Sequence, residues 1–124
     1  MMKKVINLIK KEWKPEKCFK EEGGHDDFKK DLESFLEEKI EDYVNIESKK
    51  DRVDIQIGKN IAVEVKRKMD NANMVKTAFS DVSEYNEDYS GIVVVICGGK
   101  KMYVKRLKKR IDNEIQTQNP IEVI

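Results

Sequence analysis

The chain of 124 residues contains few of the residues that mark metal clusters or disulfide frameworks. Its two cysteines, Cys18 and Cys97, lie 79 residues apart, and neither has a partner at the short spacing of a zinc site. Two cysteines also exclude a four-cysteine iron–sulfur cluster. We expect a reduced intracellular pair with a buried Cys97, and the sequence leaves a disulfide between the two open.

The sequence also lacks long apolar runs and an export signal. No run approaches the roughly 18 residues typical of a transmembrane helix, and the basic start at residues 1–6 precedes no apolar stretch of signal-peptide length. We therefore expect a cytoplasmic protein with no membrane partner. The chain has one histidine, His25, for which a helix-start or surface role is the simpler interpretation. No phosphate-binding glycine loop, nucleophile elbow or HExxH helix is present.

Charged residues are abundant and almost balanced in sign. They make up 40% of the chain, the formal net charge is +1, and 39% of the residues are hydrophobic. This composition predicts a single domain with a lean core. Seven basic residues and no acid lie between Lys100 and Arg110, and Lys66-Arg67-Lys68 adds three more. Such clusters bind phosphate backbones, and a solvated helix face is the alternative.

The most informative stretch, residues 52–66, predicts a β-hairpin. Two segments of alternating apolar and polar residues flank Gly58-Lys59-Asn60, and a three-residue turn places Asp54 directly opposite Glu64. Opposed carboxylates destabilise a sheet unless a cation lies between them. Since Lys66 lies on the same face, we predict a divalent-metal site, with a solvated charged surface as the alternative. The expected core face carries Val53, Ile55, Ile57, Ile61, Val63 and Val65.

At these residues the chain resembles the PD-(D/E)xK nuclease superfamily, which has the restriction-endonuclease-like fold. Asp54 matches the first acidic residue of the signature, and Glu64-Val65-Lys66 matches its acidic-x-Lys triplet. Val53 replaces the proline, which is not a metal ligand. The resemblance covers roughly residues 26–98, including the apolar strand at residues 92–96 that follows a predicted helix.

The resemblance implies a nuclease that requires Mg²⁺ or Mn²⁺ and hydrolyses phosphodiester bonds of DNA. Asp54, Glu64 and the Val65 carbonyl would bind the metal, and Lys66 would assist the attacking water. The alternative is a catalytically inactive module of the same fold that binds nucleic acid or a protein partner. The choice between DNA and RNA, and the formation of a homodimer, stay open.

Three further acids are candidate auxiliary residues. In the superfamily a helix before the first strand often supplies an acid, and Asp27 and Asp31 are counterparts on the helix predicted here. Glu47, on a short strand before the hairpin, is the third. Helix-start and edge-strand charges are the structural alternatives. The superfamily sometimes presents a Gln from the helix after the hairpin, but Ser80 or Ser83 stands near that place, so we transfer no role. The candidate nucleic-acid-binding residues are Arg67, Lys68, Lys100, Lys101, Lys105 and Arg106.

Hydrophobic periodicity predicts an α/β fold with a central mixed sheet flanked by helices. The order matches the αβββαβ core of the resembled fold with an extra helix at each end. We expect one domain over residues 1–124, made of an N-terminal helix and connection (1–24), a core (25–98) and a basic helix with a tail (99–124). Helices are expected at 3–13, 25–43, 74–89 and 101–116, and strands at 44–48, in the hairpin and at 92–96, with a small strand or a frayed end at 121–124.

Overall fold

A mixed β-sheet forms the centre of the molecule. The computed structural model describes residues 1–19, 23–40, 46–47 and 53–124. For Phe19, Ile46 and Glu47 it describes the backbone alone. Neighbouring strands follow the chain order, with antiparallel pairing among the first three and parallel pairing among the last three. The strands in the described part of the chain are β1 (Ile46–Glu47), β2 (Ile55–Ile57), β3 (Ile61–Lys66), β4 (Gly91–Ile96) and β5 (Ile121–Val123).

The β2–β3 hairpin has the register expected for a three-residue turn. Ile57 pairs with Ile61 and Ile55 pairs with Val63. Gly58 has a φ angle of 60°, a left-handed conformation that glycine adopts without a Cβ clash. Asp54 immediately precedes β2, and the continued register places it opposite Glu64.

One expectation for the hairpin core was wrong. Val53 packs in the cluster that contains Ala62, on the opposite side of the sheet from Ile55. The chain bends at Asp54, so the strict alternation of a strand does not extend to Val53. Beyond the bend, the Asp54 side chain lies beside the end of β3, where it accepts the N–H of Val65.

Helices cover both faces of the sheet. Helix α1 (Met2–Asn7) continues as a π-helical segment (Leu8–Trp13), and a 3₁₀ turn begins at Pro15, which has no N–H to continue an α-helix. The side chain of Asn71 caps α3 by accepting the N–H of Met74. The other helices are α2 (His25–Lys39), α3 (Ala72–Asp88) and α4 (Lys101–Glu114).

Two hydrophobic clusters lie on opposite faces of the sheet. The first contains α1, the π-helical segment, α2 and inward residues such as Val63 and Val93. The second contains α3, α4 and residues such as Ala62 and Val94. Every residue of β4 is buried, as is typical of a parallel strand covered on both faces.

The observed architecture confirms the α/β class and the mixed sheet with helices on both faces. Helix α2 ends at Lys39, earlier than the expected residue 43, and residues 41–45 lie outside the described residues. The last residues form β5, which pairs with β4 and gives the sheet a strand beyond the expected core. Among the described residues, none of the helices has both the length and the apolar character required to cross a membrane.

Candidate active site

A cavity of about 410 Å³ lies where β3 ends, and residues at the start of α2 and on α3 line its sides. The hairpin contributes the predicted acids and the predicted lysine to its wall. The two helices contribute residues that the sequence did not indicate. The lining consists of His25, Asp54, Glu64, Val65, Lys66, Arg67, Met74, Asp81, Glu84 and Tyr85.

Asp54 and Glu64 meet across the hairpin as predicted. The backbone N–H of Asp54 donates to Oε1 of Glu64 at 3.2 Å, and the backbone N–H of Val65 donates to Oδ2 of Asp54 at 2.8 Å. Glu64 is only 4% exposed, and the Asp54 side chain is 13% exposed. The alternative of a solvated charged surface is therefore wrong, because α3 covers the face on which Glu64 lies.

The two carboxyl groups have opposite pKa shifts. Burial, together with the hydrogen bond and the negative charge of Asp54, raises the pKa of Glu64 to about 8. Burial alone would raise the pKa of Asp54, but hydrogen bonds with Glu64 and the Val65 N–H and the contact with His25 lower it. The two carboxyl groups therefore titrate as a coupled pair, in which Glu64 keeps its proton to a higher pH than Asp54 does.

Lys66 lies between Glu64 and an acid on α3. Its Nζ is 3.4 Å from Oε2 of Glu64 and 2.5 Å from Oδ2 of Asp81, and its side chain is 14% exposed. Burial would lower the pKa of Lys66, but the hydrogen bond to Asp81 and the charge of Glu64 raise it overall. The ammonium group therefore stays protonated at the edge of the cavity.

Helix α3 supplies two residues that sequence reasoning missed. Asp81 holds Lys66, and one turn later the Tyr85 hydroxyl donates to Oε2 of Glu64 at 3.0 Å. Residues four apart share a helix face, so both reach the same end of β3. The helical spacing of Tyr85 predicts a core position, where it does lie, but its polar end completes the site. The Asp-x-x-x-Tyr spacing beside the apolar stripe of α3 was the available signal.

His25 lies closer to the site than its sequence context suggested. It begins α2, as expected, and its side chain is 39% exposed, yet it also contacts a residue of the hairpin. Its Nε2 is 3.0 Å from Oδ2 of Asp54, and its Nδ1 is 3.2 Å from Oδ1 of Asp26. Burial would lower the pKa of His25, but the two carboxylates raise it overall. The imidazole thus forms one wall of the cavity beside Asp54.

The acids proposed as auxiliary residues on α2 lie elsewhere. Asp27 accepts the N–H of Gly24 at 2.9 Å and closes the start of the helix. Asp31 accepts hydrogen bonds from Trp13 at 2.8 Å and Lys17 at 3.0 Å. Because these acids follow His25 by two and six residues, the helical twist turns them roughly 200° and 240° away from it.

We therefore drop Asp27 and Asp31 as auxiliary acids. Glu47 lies on β1, where its backbone pairs with Gln56, and its side chain lies outside what the structure describes. Its proposed role stays a prediction.

Arg67, a candidate nucleic-acid-binding residue that lines the cavity, also has structural contacts. Its Nε donates to the Gly23 carbonyl, and one terminal nitrogen donates to the carbonyls of Cys18 and Cys97, each at 3.0 Å. Its guanidinium also lies over the ring of Phe28. The guanidinium therefore joins three chain segments. The remaining candidates are exposed, namely Lys68, Lys100, Lys101, Lys105 and Arg106.

The site offers oxygen donors of the kind that Mg²⁺ and Mn²⁺ prefer. Within the described ranges, no group of three or more His, Cys, Asp or Glu side chains is arranged to hold a metal ion. Mg²⁺ commonly uses only one or two carboxylates and keeps several waters. The Val65 N–H points to Asp54, and a strand residue directs its N–H and C=O to the same side, so the Val65 carbonyl also faces this region. Asp54, Glu64 and Val65 fit such an ion.

Comparisons of the chain with protein-family models, curated proteins and solved structures give no match. Functional inference for this chain therefore rests on the geometry and chemistry of the site.

Proposed function

We propose that this protein is a Mg²⁺- or Mn²⁺-dependent nuclease that hydrolyses phosphodiester bonds of DNA. The observation that carries the proposal is the buried Asp54–Glu64 pair with the ammonium of Lys66 at its side. A fold gains no stability from burying two adjacent acids, and such placement is characteristic of functional sites. The chain order of an antiparallel hairpin, a crossover helix and a parallel strand also supports a restriction-endonuclease-like core.

Asp54, Glu64 and the Val65 carbonyl are the groups that would hold the cation. When bound, the cation lowers the pKa of a water molecule and offsets negative charge on the phosphate. Glu64 would have to release its proton to solvent before it could act as a ligand. The Asp54 N–H and the Tyr85 hydroxyl each hold one of its oxygens and so fix the orientation of the carboxylate.

Lys66 would act on the attacking water and on the phosphate. Its position is fixed by Asp81 on one side and Glu64 on the other, so the ammonium enters the reaction already oriented. Its three donors suit a water oxygen and a phosphoryl oxygen on which negative charge develops. Asp81 is thus a positioning residue that acts through Lys66.

The exposed basic residues supply a path for the nucleic-acid backbone. The parallel strands β3 and β4 end at the same edge of the sheet, and the Lys100 N–H donates to the Met69 carbonyl there. Lys68, Lys100 and Lys101 therefore lie at the edge where Lys66 lies. We choose DNA as the substrate because the resembled superfamily implies it, while the basic residues suit any phosphate backbone.

Calorimetric titration with Mn²⁺ tests the metal site directly. We expect the wild-type chain to bind Mn²⁺ at pH 8 and both Asp54→Asn and Glu64→Gln to lose at least about tenfold in affinity, since each removes an anionic ligand. Asp112→Asn, which changes an exposed acid on α4, is the matched control and should bind normally.

Heat that is unchanged in both site variants would overturn the proposed metal site. Salt-sensitive DNA binding without any response to Mn²⁺ would instead favour a binding module of the same fold.

A further inference from the structure

The side chains of Cys18 and Cys97 meet inside the first hydrophobic cluster. Their sulfur atoms are 2.8 Å apart, and both residues are fully buried. Cys18 lies in the 3₁₀ turn that follows the N-terminal helical segment, and Cys97 directly follows β4. The contact therefore joins two parts of the chain that are 79 residues apart in sequence.

The backbones of the two cysteines are held together independently of their sulfur atoms. One guanidinium nitrogen of Arg67 donates to the carbonyls of both cysteines, each at 3.0 Å. The Cys97 N–H also donates to the Lys66 carbonyl at 2.8 Å, which continues the β3–β4 pairing. Arg67 thus bridges the 3₁₀ turn and the end of β4 and holds the two cysteine backbones near each other.

We propose that Cys18 and Cys97 form an intramolecular disulfide that fastens the N-terminal segment (residues 1–19) to the end of β4. A disulfide has sulfur atoms about 2.05 Å apart, and the two sulfur atoms here are already in contact at 2.8 Å. The bond would lie within the first cluster, and neither cysteine lines the cavity that contains Asp54 and Glu64. The inference therefore stands independently of the proposed nuclease function.

Formation of the bond is a two-step exchange with a small-molecule disulfide as the oxidant. The thiolate of one cysteine attacks a sulfur of the oxidant, which forms a mixed disulfide and releases one thiol. The thiolate of the second cysteine then displaces the other half of the oxidant as a second thiol. The protein loses two protons and two electrons, and the oxidant gains them. Because both sulfur atoms are buried, the exchange occurs during folding or local opening.

The bond would stabilise a segment that supplies much of the first cluster. Val5, Ile9 and Trp13 come from this segment and are all buried. A cross-link that closes a long loop restricts the unfolded chain strongly and leaves the folded packing in place. Reduction would weaken the attachment of the segment to the sheet.

The test compares wild-type protein refolded with excess oxidised glutathione and with dithiothreitol. We expect the oxidised sample to show no titratable thiol after denaturation and the mass of a single chain lacking two hydrogens. The reduced sample should show both thiols. Oxidation should raise the thermal midpoint by about 5–10 °C, since the closed loop is long.

Cys18→Ala and Cys97→Ala provide the matched controls. Each variant should stay monomeric and retain one titratable thiol. Its thermal midpoint should be the same in the oxidising and the reducing buffer. Two titratable thiols in the oxidised wild type would overturn the proposal, and so would a bond between two chains or a lower midpoint on oxidation. The wild-type thiol count decides the matter even if a variant does not fold.

Discussion

The backbone N–H of Asp54 donates a hydrogen bond to Oε1 of Glu64, the residue opposite it in the hairpin. The two acids are therefore linked by more than proximity, because the amide of one stabilises the carboxyl group of the other. The second oxygen of Glu64 accepts from Tyr85 and faces Lys66. A buried carboxyl group is tolerated when both of its oxygens are hydrogen-bonded.

Removing the Tyr85 hydroxyl should destabilise the site. Tyr85→Phe leaves the ring packed and deletes the donor to Glu64, so we expect a loss of about 1.5–3 kcal/mol in the free energy of unfolding at pH 9, where Glu64 is ionised. Urea unfolding measures this quantity. Tyr89→Phe is the control, because its hydroxyl donates to the neutral amide oxygen of Gln56 and its loss should cost only about 1 kcal/mol. Equal losses in the two variants would argue against an ionised Glu64.

Stability should fall as the pH rises from about 5 to about 8. The folded chain keeps the Glu64 proton up to a pKa of about 8, while the unfolded chain loses it near the ordinary value of 4.5. The folded state then binds more protons in this window, so the free energy of unfolding decreases with pH. The raised pKa of His25 acts in the same direction above about pH 6.5.

Urea unfolding across this pH range, with a chelator present, checks the sign. Glu64→Gln does not titrate, so its free energy of unfolding should depend less steeply on pH than that of the wild type. Parallel curves for the two proteins would show that Glu64 does not carry the proton.

Asp81 should matter to the reaction through Lys66 alone. Asp81→Asn keeps the size of the side chain but removes the charge that holds the ammonium, so we expect cleavage to fall by about 10- to 100-fold. Mn²⁺ affinity should change little, because Asp81 is not a proposed ligand. Glu87→Gln, at an exposed position of the same helix, is the control for both measurements. Loss of Mn²⁺ affinity in Asp81→Asn would instead make Asp81 part of the metal site.

The exposed basic residues of α4 should contact phosphates. The double variant with Lys101→Ala and Lys105→Ala should bind DNA more weakly. Its plot of log affinity against log salt should be less steep, by about 0.9 for each phosphate that the two lysines neutralise in the wild type. Fluorescence anisotropy with a labelled duplex at several salt concentrations gives this slope. The control is Lys3→Ala with Lys4→Ala, which removes two exposed lysines from α1. The same slope in both double variants would place the DNA elsewhere.

The hairpin was predictable because its determinants are local. The Gly58 turn and the alternation of apolar residues set the register, and the register alone brings Asp54 opposite Glu64. The same local rule failed at Val53, where a bend ends the alternation.

Local sequence patterns could not predict that the site is buried, nor which helical residues belong to it. Glu64 is buried because α3 crosses the sheet above it, and periodicity does not show which residues of a helix meet a given strand end. Asp81 is a polar residue beside the apolar stripe of α3, and His25 stands at a helix start. Both reach the site through tertiary packing.

Cleavage of supercoiled plasmid DNA in Mn²⁺ tests the central claim most directly. We expect the wild-type chain to nick or linearise the plasmid and a chelator to stop it. Asp54→Asn and Lys66→Ala should each lose at least about 100-fold in rate, while Lys59→Ala in the exposed hairpin turn should cleave normally. Cleavage at the wild-type rate by both site variants, with their folds intact, would contradict the account.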